Sequence, residues 1–370
     1  MKRSTLGRAA LPAAIVLTLG LSACSAANET SSTDSESSAG GAAALSGEVN
    51  GVGSSAQASA MEAWIAGFTE VQPDLTVNYD PQGSGAGREQ FIAGGASFAG
   101  SDAYLDDEEL ASAEERCAGG NAVDLPVYIS PIAVVYNLEG VDELNLAPAT
   151  IAKIFSGQIT DWSDPAIAAD NGGTALPAGP ITPVHRQDDS GTTENFMEYL
   201  VATAGADFPY EPDGVWPIEG GEAANQTNGM IQAVTAGAGS IGYADASRAG
   251  DLGVASIGVG DAFVAPTAEA AATVVDVSTP VEGRPEGDLA IDLDRATTEA
   301  GAYPLVLVSY AVACTSYEDA EEAERVKAFL TYVTSEEGQQ AAADNAGSAP
   351  ISEDLRSQVT PVIEGISAAS

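Results

Sequence analysis

Apolar residues recur along the chain at two different spacings, which predict helices and strands in alternation. Met61, Trp64 and Phe68 lie at helical spacing before Pro73, and this segment predicts an amphipathic helix. The other predicted helices lie near residues 88–92, 151–155, 192–200, 230–235 and 326–333, and the predicted short strands lie near residues 75–79, 98–101, 181–186 and 240–243. Because no internal repeat is detectable, this alternation predicts an α/β fold.

Two longer apolar runs, residues 125–137 and 305–313, are rich in Val, Ile and Tyr and predict buried strands. If the chain leaves a first lobe in the earlier run and returns in the later one, the two strands form a hinge between two lobes. This hypothesis assigns residues 47–128 and 309–370 to the first lobe and residues 129–308 to the second. A length of 370 residues, of which 45% are hydrophobic, fits two such globular units.

The N-terminus is organised as a bacterial export signal. Three basic residues precede an apolar stretch at residues 9–21, which is too short to span a bilayer as a stable helix, and small residues then lead to Cys24. This order resembles a lipobox, in which the signal (residues 1–23) is removed and the cysteine thiol carries a diacylglycerol. The alternative is an ordinary secretory signal that happens to contain a cysteine. Residues 24–46 have almost no bulky side chains and predict a flexible tether, so the folded part should begin near Gly47.

The formal net charge of −41 becomes −44 once the signal and its three basic residues are lost. Such a surface repels nucleic acid and anionic lipid, so neither is expected as a partner. A small anionic ligand is not excluded, because a local cluster of donors can outweigh a distant charge that salt screens.

Few residues are suited to metal binding or redox chemistry. The single histidine, His185, leaves no histidine-rich metal site, and no metal or cofactor is predicted. With Cys24 lipidated, Cys117 and Cys314 remain. Two cysteines in an exported chain predict one disulfide, and the alternative is two separate buried thiols.

Three segments combine glycine with hydroxyl residues at the start of predicted helices: residues 51–56, 83–87 and 186–193. A helix N-terminus has unpaired backbone N–H groups and a partial positive charge, and glycine lets an anion approach the backbone closely. Each segment alone is typical of an ordinary helix cap or turn. If the three converge, they would coordinate a small oxyanion through neutral donors.

Two charged residues make the predicted ligand more specific. Arg186 belongs to the third segment, and its planar fork suits two hydrogen bonds to an oxyanion. Asp102 follows the predicted strand at residues 98–101, and ligands of α/β folds collect at strand ends. A carboxylate beside an anion is favourable only if the anion carries a proton, as phosphate does near neutral pH and sulfate does not. The alternative for Asp102 is a turn residue at the surface.

In this order, the three segments together with residues 100–102 and 154–162 resemble the phosphate-binding proteins of Pst-type ABC importers. Residues 154–162 read Ile-Phe-Ser-Gly-Gln-Ile-Thr-Asp-Trp, and with the Arg186 segment they are the most specific part of the resemblance. Further matches lie at residues 239–243 and 303–305, so the resemblance spans nearly all of the chain after the tether. It implies a two-lobed type II periplasmic-binding-protein fold with a two-strand hinge and a ligand cleft between the lobes.

The resemblance also implies a function outside the cytoplasm. Phosphate would be bound in the cleft and delivered to the permease and ATPase subunits of an ABC importer by a lipid-anchored protein that is not an enzyme. The residues that would bind phosphate, carried over by position, are Ser55, Ala56, Ser84, Asp102, Arg186, Ser190, Gly191 and Thr192. Asp188 would brace Arg186. Two positions depart from the family pattern, because Ala56 stands where many members have an aromatic residue and Asp189 where many have glycine.

Three alternatives stay open from the sequence. Another oxyanion such as sulfate or molybdate could occupy the same fold, although Asp102 argues against it. Ser190 and His185, with Asp188 and Asp189 close by, could belong to a secreted serine-dependent hydrolase or phosphatase. Against this, side chains alternate along a strand, so His185 should point away from a cleft that Arg186 faces. A surface sensor or adhesin without a transport role is the third alternative.

Overall fold

Strands and helices alternate through residues 44–369, the part of the chain that the computed structural model describes. The strands are β1 (Gly47–Gly53), β2 (Leu75–Asp80), β3 (Phe98–Ser101), β4 (Ala122–Tyr136), β5 (Asn145–Leu146), β6 (Thr182–Arg186), β7 (Glu222–Ala224), β8 (Ser240–Asp245), β9 (Gly253–Val254), β10 (Ser256–Val259), β11 (Ala262–Val264), β12 (Thr279–Pro280), β13 (Ile291–Asp292), β14 (Val306–Cys314), β15 (Ser316–Tyr317) and β16 (Ser367–Ala368). The helices are α1 (Ala58–Val71), α2 (Ser84–Ile92), α3 (Asp107–Ala113), α4 (Pro148–Phe155), α5 (Pro165–Asp170), α6 (Gly191–Ala204), α7 (Gln226–Ala236), α8 (Ala268–Val277), α9 (Ala320–Thr334), α10 (Glu336–Ala346) and α11 (Glu353–Gly365), with a 3₁₀ turn at Ala246–Arg248. The predicted signal peptide, Cys24 and residues 24–43 of the predicted tether lie outside the described residues.

Within residues 44–369, nine strands form one mixed sheet with the spatial order β2-β1-β3-β14-β4-β8-β6-β7, and β9 lies beside β4. β1 runs parallel to β2 and β3, and β6 runs parallel to β7 and β8. β4 and β14 run antiparallel to each other at the centre. The three Gly/Ser/Thr segments and Asp102 all follow the carboxyl ends of β1, β2, β3 and β6, the strand ends where α/β folds bind ligands.

The two long apolar runs are confirmed as buried strands at the centre of this sheet. Every residue of β4 and β14 is buried. The first part of β4 pairs with β14, whereas its last residues, Ile132–Tyr136, pair with β8. β4 therefore joins the β1 side of the sheet to the β6 side. Burial on both faces is the reason why these strands read as continuous apolar runs instead of alternating ones.

Two helices begin earlier than the apolar pattern predicts. α2 begins at Ser84 instead of near residue 88, and α7 begins at Gln226 instead of near residue 230. The first turn of α2 contains small residues without apolar periodicity, and close packing holds it. A Cβ on Gly87 would lie 2.6 Å from the Cα of Gly53, so only glycine fits there.

The predicted disulfide between Cys117 and Cys314 is confirmed, and both residues are fully buried. It joins the segment after α3 to the end of β14, across a sequence separation of 197 residues. Over residues 44–369, none of the helices combines the length and the apolar character that crossing a membrane requires.

Candidate functional site

The predicted binding residues lie together in the structure. Arg186 Nη2 donates to Ser55 Oγ at 3.2 Å, and the backbone N–H of Asp102 donates to Ser84 Oγ at 3.1 Å. A Cβ on Gly191 would lie 2.7 Å from Ser84 Oγ and 2.8 Å from Asp102 Cβ. Each of the following predicted residues is buried: Ser55, Ala56, Ser84, Asp102, Arg186, Ser190, Gly191 and Thr192.

Three helix starts point into this space because of the local sequence. The segment Ser54–Ala56 leads from β1 into α1, and Ser84 is the first residue of α2. Ser190 is the N-cap of α6, and its Oγ accepts the Thr193 N–H at 3.3 Å. The partial positive charge of each helix start favours an anion at their meeting point. The Ala56 N–H donates to Ser54 Oγ at 3.0 Å, so the predicted backbone donor has a local partner in this structure.

Arg186 lies at the end of β6, where Asp188 orients its guanidinium. Nε donates to Asp188 Oδ1 at 2.8 Å, and Nη2 also forms an ion pair with Asp188 Oδ2. The backbone N–H of Arg186 donates to the Tyr243 hydroxyl at 3.3 Å. Nη1 makes no hydrogen bond to any residue between 44 and 369, so this end of the fork is free to donate to a ligand. Asp188 thus lies where the sequence places a brace for Arg186.

Asp102 accepts hydrogen bonds from hydroxyl groups on both carboxylate oxygens. Ser309 Oγ donates to Oδ1 at 2.6 Å, and Thr192 Oγ1 donates to Oδ2 at 3.0 Å. Burial raises the pKa of Asp102, although these hydrogen bonds and the Arg186 charge oppose the shift. A carboxylate in these surroundings, with neutral donors in contact, suits a further partner that brings its own O–H group.

Besides Tyr243, the site residues contact Thr227, Ser309 and Asn195, none of which was predicted from the sequence as part of the site. Thr227 lies in the first turn of α7, and its Oγ1 is 2.9 Å from Ser55 Oγ. Ser309 binds Asp102, and Asn195 Nδ2 donates to the carbonyl oxygens of Asp102 and Gly191, each at 2.7 Å. For Thr227 and Ser309, the sequence contains a feature that could have indicated a role in the site. Thr227 follows Asn225 and Gln226 at a helix start, and Ser309 is a polar residue inside the apolar run of β14.

Asp189, one of the two departures from the family pattern, lies at the rim of the site. A Cβ on Gly85 would lie 2.2 Å from Asp189 Cγ, and a Cβ on Gly214 would lie 2.1 Å from Asp189 Oδ1. Asp189 as a whole is exposed, but partial burial of its carboxylate beside these two glycines raises its pKa, and the nearby Arg88 charge opposes the shift. The Asp189 carboxylate therefore lies between the start of α2 and the loop before residue 215. This arrangement requires glycine at residues 85 and 214.

The geometry around His185 does not form a catalytic triad. The imidazole stacks on Trp216 with the ring centroids 5.7 Å apart, and its Nδ1 lies 3.0 Å from the Arg186 carbonyl oxygen. No hydrogen bond joins His185 to Ser190 among the described residues, and Ser190 caps α6 instead. The same part of the chain contains no group of three or more His, Cys, Asp or Glu side chains placed to hold a metal ion.

Solved structures with the same architecture include proteins that are named for phosphate binding. One is a phosphate-binding protein from Stenotrophomonas maltophilia, with a TM-score of 0.65, 19% identity, and coverage of 85% of this chain and 94% of that chain. Another is a putative phosphate ABC transporter substrate-binding protein with bound phosphate from Clostridium perfringens, with a TM-score of 0.58, 20% identity, and coverage of 81% and 98%. At these identities the likeness concerns the fold, and it confirms the predicted type II periplasmic-binding-protein fold.

Comparison with the sequences of known proteins gives the family as well as the fold. A family model described as a PBP superfamily domain matches residues 32–337. Phosphate-binding protein PstS 3 of Mycobacterium leprae is 39% identical over 322 residues, which cover 85% of this chain and 85% of the relative. Phosphate-binding protein PstS 2 of Mycobacterium tuberculosis is 35% identical over 367 residues, which cover 95% of this chain and 96% of the relative. The chain therefore belongs to the PstS family of phosphate-binding proteins, within the PBP superfamily.

Proposed function

We propose that this protein binds inorganic phosphate in its buried site and delivers it to an ABC phosphate importer. One observation carries the proposal: a braced arginine, Arg186, and a carboxylate held by hydroxyls, Asp102, lie in one buried space with the donors of three helix starts. This set combines strong donors with one acceptor, which matches an oxyanion that still carries a proton.

Each predicted residue has a place in this binding scheme. Arg186 donates through its fork, with Asp188 as its brace. Asp102 accepts the phosphate proton in a hydrogen bond. The remaining donors are the hydroxyls of Ser55, Ser84 and Ser190 and the backbone N–H groups of Ala56, Gly191 and Thr192. Sulfate lacks the proton and would place an acceptor against the Asp102 carboxylate, so the site would reject it.

The binding residues come from both sides of the sheet, which supports closure of two lobes around the ligand. We assign residues 47–128 and 309–370 to the first lobe and residues 129–308 to the second, so that β4 and β14 cross between them. Phosphate would then stabilise the closed form through contacts that the open form lacks. Small-angle scattering that finds equal compactness with and without phosphate would contradict closure.

The proposed setting is the outer side of the cell membrane. The signal at residues 1–23 and the lipobox cysteine, Cys24, support export and lipid anchoring. The partners would be the permease and ATPase subunits of the importer, and the names of the relatives support a phosphate ligand. The protein would not be an enzyme, a proposal that the names of its relatives as phosphate-binding proteins support.

Calorimetry tests the proposal directly. The mature protein is unfolded and refolded to remove bound anion, then titrated with phosphate at neutral pH in the presence of excess sulfate. We expect tight binding of one phosphate per chain, undisturbed by sulfate. A correctly folded protein that binds no phosphate, or from which sulfate displaces phosphate easily, would refute the proposed ligand and favour another oxyanion.

A further inference from the structure

The first turn of α7 contacts the segment before α1 through Thr227 and Ser55. The Thr227 N–H donates to Ser55 Oγ at 3.0 Å, and the two hydroxyl oxygens are 2.9 Å apart. Thr227 is only 2% exposed, so water cannot replace a contact that is lost there. Arg186 Nη2 is the other donor to the same oxygen, at 3.2 Å. Thr227 therefore provides two of the three contacts that orient the Ser55 hydroxyl.

The same turn is also connected to the brace of Arg186. Gln226, the residue before Thr227, has a φ of 60°, a left-handed conformation that is uncommon for a residue other than glycine. Its backbone N–H donates to Asp188 Oδ1 at 2.7 Å. Because such a conformation costs free energy, its surroundings must hold it in place. The α7 start is therefore fixed against Ser55 and Asp188 together.

Arg248, in the 3₁₀ turn, joins α1 and α7 a second time. Its Nη1 donates to Ser59 Oγ on α1 at 3.0 Å, and its Nη2 donates to Asn228 Oδ1 on α7 at 2.6 Å. Ser59 lies four residues after Ser55, and Asn228 directly follows Thr227. One guanidinium thus bridges the two helix starts that the Ser55–Thr227 contact brings together.

Arg248 also differs from the other arginines in its charge partners. Within residues 44–369, the arginines that form an ion pair with Asp or Glu are Arg88, Arg116, Arg186, Arg284, Arg295, Arg325 and Arg356. Arg248 is the only arginine of this range that forms none, in a chain with 54 acidic and 13 basic residues. Its hydrogen bonds go to neutral groups, so no carboxylate of this range lies within ion-pair distance of its guanidinium.

We propose that Thr227 and Arg248 form a latch between α1 and α7 that retains bound phosphate. The proposal rests on the proposed phosphate-binding function and makes both residues positioning residues. Thr227 ties Ser55, just before the start of α1, to the start of α7. Arg248 holds the two helix starts together without bringing a carboxylate near the anion. Because contacts of a closed site chiefly affect release, the latch acts mainly on the rate of phosphate dissociation.

The test measures release of radiolabelled phosphate from the mature protein during a chase with excess unlabelled phosphate. We expect Thr227→Val, which keeps the side-chain shape and removes the hydroxyl, to raise the dissociation rate constant about tenfold, the effect of roughly one lost buried hydrogen bond. Arg248→Gln should raise it about threefold, because it removes one of two bridging bonds and the charge. Thr227→Ser keeps the hydroxyl and should stay within about twofold of wild type. Arg325→Gln, which removes a positive charge from an exposed pair on α9, is the matched control. Its dissociation rate constant should also stay within about twofold of wild type.

Two different failures are distinguishable. If the wild-type protein binds no phosphate, the proposed function fails and the latch fails with it. If the wild type binds phosphate, and Thr227→Val and Arg248→Gln release it at the wild-type rate, the latch alone is wrong. Thermal unfolding midpoints without phosphate separate the latch from a general loss of stability, because we expect them to stay close to wild type. Should Thr227→Val fold poorly, Arg248→Gln at its half-buried position still decides the question.

Discussion

Two carboxylates of the proposed phosphate site, Asp102 and Asp188, have different electrostatic surroundings. Asp188 forms an ion pair with Arg186 through both of its oxygens, so a positive charge balances its own. Asp102 contacts the hydroxyls of Ser309 and Thr192, and burial raises its pKa. One carboxylate is therefore compensated by the protein itself, and the other depends on neutral donors.

The difference indicates two separate tasks for the same chemical group. A compensated carboxylate such as Asp188 orients its arginine and adds little net charge to the site. A carboxylate with only neutral donors, such as Asp102, gains from a ligand that brings a proton and repels one that does not. Substitutions that remove the charge from each should therefore have different consequences, one for stability and one for ligand choice.

The largest effect is expected for Asp188→Asn on stability. Removing one partner of a buried ion pair leaves Arg186 uncompensated, so the free energy of unfolding without phosphate should fall by about 3 to 5 kcal/mol. Chemical denaturation of the refolded, phosphate-free protein measures this free energy of unfolding. Glu321→Gln is the control, because its pair with Arg325 is exposed and should contribute less than about 1 kcal/mol. Equal losses in both variants would show that the Asp188 pair is no stronger than a surface pair.

A third carboxylate, that of Asp245, is also buried and lies away from the site. The Tyr128 hydroxyl donates to Asp245 Oδ2 at 3.0 Å, and burial raises the pKa of Asp245 from an ordinary 3.8 to about 6. The folded state thus holds this proton more tightly than the unfolded state. Its stabilising contribution is present below about pH 4 and is lost as the pH rises to about 6, a change of about 2 to 3 kcal/mol.

Denaturation at a series of pH values, compared between wild type and Asp245→Asn, measures this contribution. The difference between the two proteins should change across the interval from about pH 4 to pH 6 and stay constant above it. A difference that does not vary with pH would mean that Asp245 titrates alike in the folded and unfolded states.

A smaller free-energy change is expected for Asp102→Asn on ligand choice. The amide removes the negative charge and can donate to an anion without a proton, so the preference for phosphate over sulfate should fall at least about tenfold, or roughly 1.4 kcal/mol. Competition calorimetry at neutral pH measures the ratio of the two dissociation constants. An unchanged ratio would mean that Asp102 does not discriminate between the two anions, whatever its effect on affinity.

The sequence predicted those parts of the fold and site that depend on local chemistry. Apolar residues on both faces of β4 and β14 made these strands visible as long, mainly apolar runs. The glycine and hydroxyl segments marked the helix starts, because caps and close backbone approaches allow few residue types. The start of α2 was predicted too late, since its first turn is held by the contact of Gly87 with Gly53 and not by apolar periodicity.

What the sequence determined by itself was therefore the α/β alternation, the central strands, the pairing of Cys117 with Cys314 as the simplest choice, and the set of helix starts. Only the tertiary structure decided which hydroxyls serve which carboxylate or arginine. Asp102 and Ser309 are 207 residues apart, and Ser55 and Thr227 are 172 apart. The physical reason is that a hydrogen bond depends on a distance of about 3 Å, and packing between remote segments, not local propensity, sets that distance.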